Sequence, residues 1–386
     1  MPSQGVRLLT ADLLYTGEGS GVQDGGVVLQ EGRVLALGGA EALRSRFPGV
    51  GEERAGRVIA PPPVNAHTHL DLSLLSFRAL PYHRWVMEHV GANLHRSGRE
   101  GAEVGLRAIR ASAVAAAGDI TELPGVMEFL LREGDVPGVA YWQVFEPNPS
   151  RADETFRRTV EQLRALRRLE RPGGMRVGLS PHATYTVSHR LHRLLAEFAR
   201  DEGLPMQIHA SEPPTESRMF RTGSGPLAAK FLEVMSPLTL EDVLGRAPDP
   251  GLTPVAHLAD LGVLDARPTL VHMVNVTEDD VQTVAQAGCA VVTCPRSNRA
   301  LECGVFPWAL YGRHGVEVAL GTDSVASGET LDLHDELAFA RQAHAAVDEV
   351  TLVRAAVRGG RHALGEPAVT LREGDAWNPA FAWPDR

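Results

Sequence analysis

Apolar positions along the chain fall into two regimes. Over the first sixty residues the apolar stretches at 8–15, 26–30 and 33–37 are broken by Gly17-Glu18-Gly19-Ser20-Gly21 and Glu31-Gly32. Apolar runs bounded by such pieces predict short strands joined by turns. From Val58 onward, short apolar runs alternate with longer segments of helical periodicity, the pattern of a parallel α/β architecture. Eight runs are expected as strands: 58–64, 118–121, 139–145, 175–180, 206–209, 269–272, 290–293 and 316–321. Helices are expected between them at 100–117, 152–169, 188–202 and 278–287, several opening on Asp, Ser or Thr as N-caps.

Eight such pairs over about 300 residues predict a closed (β/α)₈ TIM-like barrel rather than an open sheet. The stretch 213–267 is too long for a single crossover helix and reads as an insertion over the barrel mouth. The tail after Arg361, rich in Gly, Pro and Trp, is short enough to return to the N-terminal strands. Neither an internal repeat nor a low-complexity tract interrupts this layout.

Composition narrows the function classes. With 38 basic and 48 acidic residues the formal net charge is −10, which argues against nucleic acid or an anionic membrane as a partner. Apolar runs stay below the roughly 18 residues of a membrane span, and residues 1–15 lack a basic region followed by an apolar one, so no signal peptide is expected. Cys289, Cys294 and Cys303 form no C-x-x-C pair, and three cysteines suit reduced thiols in a cytoplasmic protein. Lys230 is the single lysine among the basic residues, so almost no position can supply a carbamylated or Schiff-base lysine.

The chemistry gathers at strand ends. Val64-Asn65-Ala66-His67-Thr68-His69 places two imidazoles two residues apart, on one face of an extended segment. Alone, such a pair is weak, since surface histidines recur by chance. His209 ends the fifth strand with Glu212 three residues on, His272 ends the sixth, and Asp323 follows the eighth in Gly321-Thr322-Asp323. Each singly reads as a structural histidine or a turn. Together they lie where barrels of this type carry their sites, and the histidines and carboxylate suit a divalent metal.

In this set the chain resembles the amidohydrolase superfamily, in the branch holding guanine, cytosine and S-adenosylhomocysteine deaminases and triazine chlorohydrolases. Supporting runs are Ser180-Pro181-His182-Ala183-Thr184-Tyr185-Thr186-Val187-Ser188, Thr253-Pro254-Val255-Ala256-His257-Leu258 and Cys294-Pro295-Arg296-Ser297-Asn298. The resemblance implies a small β-sandwich domain from residues 1–60 plus 362–386 beside a barrel at 61–361. It implies one divalent ion on His67, His69, His209 and Asp323, Zn²⁺ with Fe²⁺ as the alternative. Two-metal members bridge their ions with a carbamylated lysine after strand four; here that strand ends Ser180-Pro181-His182 and Lys230 lies in the insertion, which disfavours a bridged pair.

The expected reaction is deamination of a nitrogen heterocycle by metal-activated water. Glu212 would carry a proton to the ring nitrogen and later to ammonia, Asp323 would take the first water proton, and His272 would hold the nucleophile. The substrate is expected to be a small molecule of purine-nucleoside type, with nucleic acid and membrane excluded and a homo-oligomer left open. Trp85 matches an aromatic of the first loop in nucleoside-binding relatives and could stack on a purine; His182 would meet the ring or ribose. His83 stands where S-adenosylhomocysteine deaminases carry a glutamate, which puts that substrate in doubt. Arg84, Arg218, Arg221 and Arg296 are candidates for an anionic substrate tail. Guanine or S-adenosylhomocysteine deaminase and triazine-type chlorohydrolase at the same site are the alternatives, with an inactive scaffold a remote one.

Overall fold

The computed structural model describes residues 5–385. Strands β1 (Val6–Leu14), β2 (Val22–Gln30), β3 (Arg33–Gly39) and β4 (Gly51–Ile59) open the chain. β2 and β3 form a hairpin through Glu31 and Gly32, whose φ values of 50° and 73° suit a two-residue turn matching the strand twist. Period-two alternation divides the apolar side chains. Leu8, Val28 and Ala36 pack with Leu43 on one side, whereas Leu9, Val27, Leu29, Val34 and Ile59 form a second cluster.

The expected strand at 58–64 is two strands. Val58 and Ile59 end β4, and β5 (Val64–Thr68) begins only after Pro61-Pro62-Pro63. Proline has no N–H to give a ladder and locks its own φ, so three in succession end one strand and separate it from the next. His67 consequently lies within β5 rather than after it.

The barrel strands continue with β6 (Ala116–Thr121), β7 (Gly138–Val144), β8 (Met175–Pro181), β9 (Gln207–Ala210), β10 (Thr269–His272), β11 (Val291–Thr293) and β12 (Val318–Leu320). Parallel ladders join β5 through β8 and β9 through β12. Parallel bridges close both seams, Leu179 to Met206 and Ala183 to His209 on one side and Thr68 to Asp323 on the other. Eight parallel strands therefore complete a ring. Every residue of β5, β6, β9, β10, β11 and β12 is buried, as strands covered on both faces must be.

Helices cover the ring. Glu278–Ala287 lies where expected, opened by a reciprocal Thr277–Asp280 capping box and closed on Gly288 at φ 69°. The helix expected at 100–117 ends at Ala111 instead. Ala115 donates its N–H to the Pro63 carbonyl at 2.7 Å, which draws the following residues into β6.

The insertion folds as helices Pro214–Thr222, Pro226–Met235, Leu240–Leu244 and Pro254–Asp260. Phe220, Leu227, Phe231 and Val243 pack there with Tyr82, Trp85 and Tyr185 from the loops after β5 and β8, so the insertion caps one end of the ring. The tail returns to the first sheet. β13 (Ala382–Trp383) pairs with β4, and Leu371 donates its N–H to the Thr16 carbonyl. Leu13, Tyr15, Val58 and Trp383 share one apolar cluster with the barrel helices. Among the described residues no helix is long and apolar enough to cross a membrane.

At Gly138 the ring tolerates no side chain: φ is 137°, and a Cβ would sit 1.9 Å from the Ala117 carbonyl oxygen of β6. Gly138→Ala is expected to cost roughly 1–3 kcal/mol for its conformation alone, with the clash in addition. Calorimetry should show a lowered Tm; an unchanged one would contradict the close approach of β6 and β7.

Candidate metal centre and active site

The ends of β5, β9, β10 and the turn after β12 bring four imidazoles and a carboxylate together. His67 and His69, two residues apart, have ring centroids 4.9 Å apart, and His67 lies 5.0 Å from His209 and 5.8 Å from His272. The Nε2 atoms of His69 and His209 are 3.4 Å apart. Asp323 Oδ1 lies 3.7 Å from His67 Nε2 and 3.8 Å from His69 Nε2. Two overlapping donor sets, His67–His69–Asp323 and His67–His209–His272, are each compact enough to hold one ion.

The surroundings decide which atoms face inward. Gln207 donates its amide N–H to the Ala66 carbonyl at 3.1 Å, which turns its Oε1 toward His67 Nδ1 at 2.7 Å. His209 Nδ1 faces the His182 carbonyl at 2.7 Å, and His272 Nδ1 faces Asn298 Oδ1 at 2.9 Å. An oxygen acceptor at each Nδ1 places the proton there and leaves the Nε2 lone pair pointing inward. Ser297 and Ser327 donate to Asp323 Oδ2 at 2.6 and 3.0 Å, leaving Oδ1 for the centre. His67 Nε2 is buried without a hydrogen-bond partner, as a lone pair reserved for a cation would be.

Burial sets the charges. It pushes the His69 imidazole down to about 3, and it holds His209 well below the ordinary range with the neighbouring histidines assisting. These rings are therefore neutral and free to bind a metal. Burial opposes ionisation of Asp323, but the adjacent His67 and the other imidazoles around it outweigh that and hold the carboxyl well below its usual range. Glu212 behaves oppositely: burial, then the nearby Asp323 and Glu216 carboxylates, push it well above. Backbone strain collects here too. Ser211, His272, Met273 and Asp323 all have φ between 48° and 70°, an unfavourable region for residues with a Cβ.

A sequence model of the amidohydrolase family matches residues 58–378. The chain belongs to that family. It is 54% identical over 377 residues to an aminodeoxyfutalosine deaminase of Deinococcus radiodurans, covering 98% of this chain and 90% of that protein. It is 29% identical to a 5-methylthioadenosine/S-adenosylhomocysteine deaminase of Nitratidesulfovibrio vulgaris, covering 94% and 80%. The fold matches Helicobacter pylori aminofutalosine deaminase in complex with methylthio-coformycin, with TM-score 0.73, 17% identity and 97% and 94% coverage. It also matches a zinc-bound adenosine deaminase from Xanthomonas campestris, with TM-score 0.66, 24% identity and 97% and 84% coverage. A divalent metal is in keeping with the family, and the inward Nε2 set with Asp323 Oδ1 suits one.

In this amidohydrolase His272 Nε2 lies 3.6 Å from Glu212 Oε1, so the expected acid and its partner are neighbours. The ring of His182 stands 5.3 Å from His209 and 5.8 Å from Phe145. The structure brings the other substrate candidates elsewhere. Trp85 does not offer a free face for stacking: it is buried in the apolar cluster and its indole N–H donates to the Ala326 carbonyl at 3.1 Å. Arg84 faces solvent and pairs with Glu88 one turn along, while Arg218 and Arg221 occupy the exposed face of their helix. Arg296 stacks on Phe339 and pairs with Glu329 at 3.2 Å.

Residues passed over in the sequence support the cluster. Gln207 precedes His209 by two on β9 and shares its face, a signal alternation carries. Ser297 and Asn298 lie in a run already singled out, without a pattern to assign them. Tyr82, Tyr185 and Cys303, gathered about Glu212, carry no sequence signal for that meeting.

Gln207→Leu leaves the His67 Nδ1–H without its acceptor. Metal affinity, measured by chelator competition, is expected to fall about 10- to 100-fold. An unchanged affinity would remove Gln207 from the centre.

Proposed function

We propose that this amidohydrolase deaminates an adenine-type nucleoside in the cytoplasm, replacing the exocyclic amine with oxygen and releasing ammonia. The best-matched substrate is 6-aminodeoxyfutalosine, converted to futalosine as a step of menaquinone biosynthesis. The observation that carries this reading is the 54% identity, over 98% of the chain, to the Deinococcus aminodeoxyfutalosine deaminase. The pairing of Glu212 with His272 beside the donor cluster supports ring-nitrogen protonation.

His67, His69, His209 and Asp323 would hold the ion, with Zn²⁺ preferred for imidazole donors of this kind and Fe²⁺ the alternative. When bound, a divalent ion makes water nucleophilic at neutral pH by lowering its pKa to about 7.

The protein's own groups then move protons. Burial keeps Glu212 protonated, so it can give its proton to the ring nitrogen beside the amine-bearing carbon as water adds there. Asp323 takes the first proton from that water. Glu212, once ionised, takes the remaining proton of the added hydroxyl and passes it to the departing amine, and the proton held by Asp323 then restores Glu212. The ring nitrogen keeps the proton Glu212 first gave, the two water hydrogens finish on ammonia and on Glu212, and both carboxyls return to their starting state. His272, held by Asn298 through Nδ1 and kept neutral by burial, accepts a hydrogen bond from the nucleophile at Nε2. His182, beside His209 and Phe145, would form the wall against the ring or ribose.

Glu212→Gln is expected to retain its metal and lose at least about 100-fold in kcat, the usual contribution of a general acid. Turnover within tenfold of the parent would take Glu212 out of this role. A coupled ammonia-release screen over adenine and guanine nucleosides should find 6-aminodeoxyfutalosine preferred. Strong turnover of guanine with none on adenine nucleosides would replace this reading with guanine deamination.

A further inference from the structure

A third buried carboxyl lies four residues beyond Glu212 and has no part in the chemistry so far. Glu216 stands in the first turn of the helix Pro214–Thr222, behind Pro213. A glutamate at that place ordinarily reaches back to the N–H of the residue capping its helix. Pro213 and Pro214 have no N–H to offer. The Glu216 side chain passes over them instead, and its Oε2 accepts the Glu212 N–H at 2.7 Å. Its other oxygen, Oε1, accepts the hydroxyl of Thr184. Glu216 is 2% exposed and Thr184 is fully buried.

The two partners come from two sides of the pocket. Thr184 follows His182 by two residues in the loop after β8. The His182 carbonyl accepts the His209 N–H at 3.1 Å and faces His209 Nδ1 at 2.7 Å. Glu212 follows Ser211, whose φ of 50° turns the chain out of β9. Glu216 therefore ties the peptide that launches the acid to the loop that carries His182. On its other side, the Glu212 carbonyl accepts from Asn275 Nδ2, which also donates to the Cys303 carbonyl at 2.9 Å. Glu212 is thus gripped at its N–H and at its carbonyl, with its carboxyl 3.6 Å from His272 Nε2. Burying a carboxyl is costly unless it is paired. Both donors to this one lie outside its own helix, so capping that helix does not account for it.

We propose that Glu216 is a positioning residue for the reaction: by accepting from the Glu212 N–H and the Thr184 hydroxyl together, it sets where the Glu212 carboxyl stands against the substrate ring. Orientation carries the effect. A backbone N–H can only donate, whereas a threonine hydroxyl donates or accepts. Glutamine at position 216 keeps both bonds, its carbonyl on the Glu212 N–H and its amide on the Thr184 oxygen; leucine keeps neither. This inference rests on the deaminase reading above.

The test compares Glu216→Leu, Glu216→Gln and Thr184→Val, together with Glu212→Gln alone and combined with Glu216→Leu, metal-loaded and at a temperature where each is folded. Glu216→Leu is expected to lower kcat about 10- to 100-fold, the effect of losing hydrogen bonds to a charged group, with KM within about threefold. Metal content should stay at that of the parent. Glu216→Gln should restore kcat to within about threefold of the parent. Thr184→Val, which removes only the second partner, should lower kcat about three- to tenfold and carries the test if Glu216→Leu fails to fold. In the Glu212→Gln background, Glu216→Leu should cost no more than about twofold further. Unchanged kcat, a change confined to KM, loss of metal, a glutamine variant as impaired as the leucine one, or an equal loss in both backgrounds would each overturn the inference alone. A parent protein that releases no ammonia from any nucleoside would overturn the deaminase reading and this inference with it.

Discussion

The arrangement depends on one constraint: lone pairs from separate strands must face a common point while their rings stay uncharged. Nothing local enforces this. His67, His209 and His272 keep Nε2 inward because Gln207, the His182 carbonyl and Asn298 each occupy Nδ1. At His69, His209 and His272 burial disfavours protonation. The ring of parallel strands supplies position, and the acceptors behind the histidines supply orientation. Both are needed, since a barrel with misdirected tautomers would present N–H groups to a cation.

Glu212 shows how the same burial yields the opposite chemistry in a neighbour. Asp323 is surrounded by imidazoles and two donor hydroxyls, and its charge is held. Glu212 faces Glu216 and Asp323, so its charge is discouraged. Two buried carboxyls in one pocket thus differ in protonation because their neighbours differ, which is how acid and acceptor roles are divided. The strained φ values at Ser211, His272, Met273 and Asp323 lie on the same strand ends. The backbone there is bent to aim side chains rather than to relax.

Much of this was legible beforehand because it follows from periodicity and order along the chain. The eight barrel runs, the capping insertion, the returning tail and the set His67, His69, His209, Glu212, His272 and Asp323 were all readable in one dimension. The run 58–64 reads as one apolar strand, but its three prolines lack N–H groups and divide it into the end of β4 and the start of β5. Trp85 and the arginines show a different limit of reading by residue type. Residue type indicates what a side chain can touch, whereas the helix face it occupies decides what it does touch. Arg84 and Glu88 sit one turn apart and satisfy each other. Tyr82 and Tyr185 were invisible because their meeting joins loops 103 residues apart.

Trp85 has a mechanical consequence beyond packing. Its indole grips the carbonyl of Ala326, which also accepts the N–H of Arg78, and the next residue, Ser327, donates to Asp323 Oδ2. One peptide unit therefore couples the cover to the carboxylate at the base of the pocket. The seat of the cover and the orientation of the Asp323 carboxylate are therefore fixed by adjacent residues of one short segment of chain.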